Sequence, residues 1–211
     1  MVEVILLAII LLNLSLLGGR MLKGCISRAA VQGFLTALFG IAIHAEAVSV
    51  RLAGLALGAM VVKAAVFPWF LTKAMRTTEE TEERRPFLGV TLSMTLGIAL
   101  VVAGFFLGRL FPAAASGISR LAMPVSYATM FSGLLLIIAR RSVLFQAVGY
   151  LVMENGIYIA GISLVSELPF LVELGVLLDV IAAVLVMVVV VQQIDREANG
   201  HAEDTLSELK G

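Results

Sequence analysis

One cysteine, Cys25, and two histidines, His44 and His201, are all that this 211-residue chain offers as thiolate or imidazole ligands. That inventory excludes a tetrahedral zinc site and an iron–sulfur cluster. A haem held by two histidines is excluded too, because His201 sits in a polar tail. Charge is equally scarce. Only 14% of residues are Asp, Glu, Lys or Arg, and the formal net charge is zero. Nothing in that balance points to nucleic acid. No phosphate loop, nucleophile elbow or metal-binding motif is found. The chain has no catalytic centre of its own, so any redox chemistry belongs to another subunit. The N-terminal run lacks a basic stretch and carries Glu3, which reads as a retained first span rather than a cleaved signal peptide.

What the chain has in abundance is apolar length. It is 60% hydrophobic, with a mean hydropathy of +1.04, and stretches near 20 apolar residues recur. The fold class expected is all-α: an integral membrane helix bundle of about seven transmembrane helices. They are placed at 2–19, 29–47, 52–74, 87–110, 121–139, 142–165 and 170–193, each long enough to cross about 30 Å of hydrocarbon. Residues 1–194 form the bundle and residues 195–211 a polar cytoplasmic tail. Basic residues orient it. Arg20, Lys23, Arg28, Lys73, Arg76, Arg84, Arg85, Arg140, Arg141, Arg196 and Lys210 fall on one side, and only Arg51, Arg109 and Arg120 on the other. The orientation expected is N-out/C-in. The segment Arg76–Arg85 reads as a solvated connector or a docking site for a peripheral subunit. Arg140-Arg141 reads first as a topology anchor. Trp69 reads as packing, and Cys25 as a small inert residue near a helix start.

Three charges contradict the apolar background. Lys63, Glu154 and Asp179 lie near the middle of apolar segments, where a charge costs about 2.5–3.5 kcal/mol on insertion scales. Glu154 belongs to a stripe, Gln146, Tyr150, Glu154 and Tyr158, at four-residue spacing on one helix face. Asn155 lies beside it. A tyrosine hydroxyl can hydrogen-bond the carboxyl or relay a proton; the plainer role for such groups is to hold helices together. From the turn near Leu168, Glu154 and Asp179 lie at depths of about 21 and 17 Å. Burial and mutual repulsion favour neutral carboxyls, and a nearby lysine favours ionised ones. Lys63 is the natural counter-charge: it pairs with Glu154 or Asp179, or exchanges between them. Pro68 is expected to kink that helix just beyond the lysine.

The stretch Gly149-Tyr-Leu-Val-Met-Glu-Asn-Gly156 resembles the Gly-Tyr-x-x-Met-Glu-Asn-Gly signature of the hydrogenase-4 component E family. Leu171-Val-Glu-Leu-Gly175, Asp179 and Ala183-Val-Leu-Val-Met187 look like that family's next helix. Lys63 followed by Pro68, and the terminal Leu-Lys-Gly, match its pattern too. Residues 140–194 are more distantly similar to the NuoK-type subunit of complex I and the MrpC-type subunit of cation/proton antiporters. There Asp179 aligns with the second buried glutamate. The first aligns with Leu151, three residues before Glu154, on roughly the same helix face.

The resemblance implies a non-redox membrane-arm subunit of a complex I-like respiratory hydrogenase, multi-pass in the inner (plasma) membrane. Its partners would be the lipid bilayer, antiporter-like membrane subunits and a peripheral redox arm holding nickel–iron and iron–sulfur centres. Glu154, Asp179 and Lys63, supported by Tyr150, Tyr158 and Asn155, would form part of a proton path. Two other readings stay open: a subunit of a multi-subunit cation/proton antiporter, and a structural membrane scaffold.

Overall fold

The computed structural model describes residues 1–43, 58, 60–77, 82, 87–110, 119–164, 188 and 191. These hold six α-helices and one π-helical turn. The helices are α1 (Val2–Leu17), α2 (Leu22–Ile43), α3 (Phe67–Thr77), α4 (Val90–Leu110), α5 (Ala122–Ala139) and α6 (Val143–Leu164). The π-helical turn, Val62–Val66, leads directly into α3. Helices α2, α4, α5 and α6 are long and apolar enough to cross a membrane; α1 is apolar but shorter, at 16 residues. The expected seventh helix at 170–193, the tail at 195–211, and Asp179 with them lie outside the described residues.

One boundary moves substantially. The second helix was expected to start near residue 29, with the basic residues before it in a loop. It begins at Leu22. Gly18 and Gly19 turn the chain within a few residues, and α2 starts at once. Lys23 and Arg28 therefore sit in its opening turns, where long basic side chains keep their heads polar while their stems cover apolar surface. The Arg28 guanidinium donates back to the Ser15 carbonyl and, at 3.1 Å, to Ser15 Oγ.

The turns between α1 and α2 and between α5 and α6 meet at one end of the bundle, with Glu82, Phe87 and Leu88 beside them. Arg140 donates to the carbonyls of Leu17 and Gly19 at 2.9 and 2.8 Å. The N–H groups of Phe87 and Leu88 donate to the Ala139 carbonyl at 3.0 and 3.3 Å. Met21 and Glu82 pair as an isolated bridge. This shared end, the basic end below, carries Arg20, Lys23, Arg28, Arg76, Arg140 and Arg141.

Helices α5 and α6 pack most closely, through glycine. A Cβ at Gly133 would run into the Met153 backbone N, and one at Gly156 would lie 2.6 Å from the Met130 backbone N. Small residues at such crossings bring helix backbones together where lipid supplies no hydrophobic driving force. Helix α4 leans on α5 through Gly104 and Gly108 and leaves Val102 and Phe106 exposed.

The interior divides into two apolar clusters. One, toward the basic end, includes Leu16, Cys25, Ala29, Phe67, Leu135 and Val152. The other includes Ile9, Phe39, Val125 and Ile159. Between them, on four of the helices, lies a buried polar residue: Asn13 on α1, Gln32 on α2, Thr129 on α5 and Glu154 on α6. Lys63, just before α3, joins them. A polar layer thus crosses the bundle between two apolar halves.

Candidate functional site

Lys63 lies in the π-helical turn. There the Phe67 N–H reaches back five residues to the Val62 carbonyl instead of four. Pro68 follows immediately and has no N–H to offer that turn. The irregularity expected around Pro68 therefore takes the form of a π turn, a device that often marks functional sites in helices. Gly33 of α2 provides the space beside it: a Cβ there would lie 3.1 Å from Lys63 Cβ.

Lys63 Nζ donates to Glu154 Oε1 at 2.6 Å. The two side chains are only 6% and 2% exposed. Lys63 Nζ also lies 5.3 Å from the centre of the Tyr158 ring, within cation–π range. Two of the alternatives for Lys63 involve Asp179, which lies outside the described residues; the pairing with Glu154 is present. Asn155 is buried next to the pair, and Tyr150 is partly buried one turn before it. The first member of the stripe is drawn elsewhere. Gln146 Nε2 donates to the Arg140 carbonyl at 2.9 Å, so it serves the basic end rather than the charged pair.

A small cavity of about 10 Å³ adjoins the pair, bounded by α2, α3 and α6. That is about the space one water needs. Its polar lining groups are Lys63, Glu154 and Asn155.

The arginine pair splits. Arg141 is exposed and lies over the Phe87 ring at 4.4 Å. Arg140 is buried and closes the end of α1 through the carbonyls of Leu17 and Gly19. Only Arg141 keeps the surface position a topology anchor implies. Trp69, expected in the packing, is 58% exposed; it meets Phe70 edge-on at 4.9 Å and carries Lys73 over its ring at 5.3 Å.

Sequence reasoning missed a second polar constellation. Gln32 Nε2 donates to Asn13 Oδ1 at 2.7 Å, and Asn13 Nδ2 donates to Thr129 Oγ1 at 2.9 Å. Thr129 passes its hydroxyl to the Val125 carbonyl at 2.7 Å. All three side chains are fully buried. The signal available was a lone asparagine in the apolar run of α1. Among the described residues, no group of three or more His, Cys, Asp or Glu side chains is placed to hold a metal ion.

Hydrogenase-4 component E of Escherichia coli K12 is 30% identical over 154 residues, covering 72% of this chain and 71% of that protein. The chain belongs to the hydrogenase-4 component E family. The Shigella flexneri protein of the same name matches to the same extent. An uncharacterized protein of Mycobacterium tuberculosis is 28% identical over 152 residues, 72% of this chain and 69% of that one. No family model matches the chain, and no solved structure matches it significantly.

Proposed function

We propose that this chain is a non-redox membrane subunit of a hydrogenase complex and that Lys63 and Glu154 belong to its proton path. Family membership supports the first half, since the relatives are named as components of a hydrogenase. The second half rests on one observation: a lysine and a glutamate, bonded at 2.6 Å and almost wholly buried, in the polar layer of an apolar bundle. A buried ion pair is a poor stabilising device, because desolvation offsets most of its Coulomb energy. Helices can be joined by neutral amides and hydroxyls instead, and this bundle does so at Asn13, Gln32 and Thr129. An acid that shares its site with a lysine can be loaded and released as that partner shifts. Tyr150, Tyr158 and Asn155 surround it as supporting groups. Asp179 joins this reading from the sequence alone, by its distant likeness to the second buried glutamate of NuoK-type subunits. The inner membrane, antiporter-like neighbours and a redox arm with nickel–iron and iron–sulfur centres complete the proposal.

The test has two parts. A tagged chain purified in mild detergent is expected to bring antiporter-like subunits and the metal-bearing arm with it. Recovery with antiporter subunits alone, or as a lone homo-oligomer, overturns the hydrogenase assignment. Within the recovered complex, Glu154→Gln is expected to leave the subunit complement unchanged and to abolish most proton uptake into sealed vesicles per turnover. Unchanged uptake sinks the proton-path role.

The scaffold reading has an observation of its own: the pair is bonded directly rather than held apart. It predicts that a single neutralisation disrupts assembly and that a matched double neutralisation restores both assembly and proton movement.

A further inference from the structure

Among the described residues three side-chain amides are buried: Asn13, Gln32 and Asn155. Two of them are bonded. Asn13 bonds through both side-chain polar atoms, to Gln32 and Thr129, and Gln32 bonds to Asn13 through Nε2. Asn155 differs. It is 3% exposed, yet among the described residues its amide has no hydrogen-bond partner. A buried polar group left unbonded carries the full cost of losing its water, and native structures rarely leave one so. The same residue lines the cavity of about 10 Å³ that touches Lys63 and Glu154. Space for about one water, with three polar side chains around it, is what a buried water requires.

We infer that this cavity is the seat of one ordered water and that Asn155 holds it against the charged pair. The Lys63 ammonium offers donors, the Glu154 carboxylate offers acceptors, and the Asn155 amide offers both. A water suits all three, because it also donates and accepts. Its oxygen takes an N–H from Lys63, and its two hydrogens go to the carboxylate and to Asn155 Oδ1. A metal cation fits less well, since Lys63 already places a positive charge 2.6 Å from the carboxylate and would repel a second. The volume excludes an organic solute. The water gives Glu154 a proton-exchange partner besides the lysine: a hydronium formed there passes its proton to the carboxylate and remains as the water, and the neutral acid returns the proton by the reverse step. Asn155 is thus a positioning residue that acts on the acid through the water. That role rests on the proton-path reading, whereas the presence of the water does not.

Radiolytic labelling of the full chain, purified with whatever partners accompany it, reads the water in place. A brief X-ray pulse splits water into hydroxyl radicals, which oxidise the side chains they form beside, and mass spectrometry locates the oxidised residues. Phe67 lines the cavity at 2% exposure. Phe39 and Phe145, at 0% and 1%, are buried as deeply and do not line it. The expected result is that Phe67 is oxidised and Phe39 and Phe145 are not. Asn155→Leu, close in size but apolar, is expected to lose the Phe67 label, and Asn155→Ser, which keeps a hydroxyl, to retain it. Should Asn155→Leu fail to assemble, Asn155→Val carries the same reading. A Phe67 as unreactive as Phe39 and Phe145 in the parent chain overturns the water, whatever the variants do. A label that survives the apolar variant overturns the role of Asn155. If the label behaves as expected while Glu154→Gln leaves proton uptake unchanged, the water stands and the proton-path role alone falls; if uptake is lost and Phe67 stays unlabelled, the water falls and that role stands.

Discussion

Two buried polar constellations share the layer between the apolar clusters, and they are built differently. Lys63 and Glu154 join the segment before α3 to α6 with opposite charges, a π-helical turn and a water-sized cavity alongside. Asn13, Gln32 and Thr129 join α1, α2 and α5 with neutral groups and regular helix. The amide group does what packing in a membrane needs: it bonds side chains across helices without burying charge. The ion pair meets a similar geometric need at a higher desolvation cost. Retaining charge where amides suffice marks Lys63 and Glu154 as the candidates for transport, and leaves the amide chain as the frame that holds α1 and α2 beside them.

The sharpest way to break that contrast is to remove one charge. Glu154→Leu removes the carboxylate bonded to Lys63 and is expected to lower stability by about 3–5 kcal/mol, read as thermal unfolding in detergent. Adding Lys63→Met is expected to recover most of that loss. A single variant as stable as the parent would mean the pair is not buried as a pair. Next in size, Gln32→Leu takes the donor from Asn13 Oδ1 and is expected to cost about 1–2 kcal/mol, with proton uptake per turnover kept. A collapse of uptake in this variant would merge the two constellations into one path. Smallest of the three, Thr129→Val removes one acceptor at the end of the chain and is expected to cost about 0.6 kcal/mol, the average for interhelical hydrogen bonds in membranes. A double-mutant cycle between Asn13 and Thr129 measures that bond directly.

The four long apolar helices among the described residues were legible because crossing hydrocarbon demands long apolar runs, whatever their packing. The α5 and α6 boundaries fell within about two residues of those expected. The start of α2 was not legible, because Lys23 and Arg28 look like loop residues until Arg28 is seen folded back on Ser15. Lys63 and Glu154 stood out as charges in apolar runs, but not their partnership. Four-residue spacing put Gln146, Tyr150, Glu154 and Tyr158 on one face, yet Gln146 turns to Arg140 while Tyr158 stays with the lysine. Arg140 and Arg141 are neighbours in sequence with opposite fates, one buried against α1 and one over Phe87.

Composition and hydropathy were enough to mark a helical membrane chain with charged residues set in its apolar runs, because the cost of charge in hydrocarbon depends on residue type and position along the run. Which charge meets which followed from helix rotation and close approach, and those are set by contacts distant in sequence. Gly33 lets the lysine in beside α2, and Gly133 and Gly156 draw α5 onto α6. The π turn carries Lys63 to Glu154, 91 residues away.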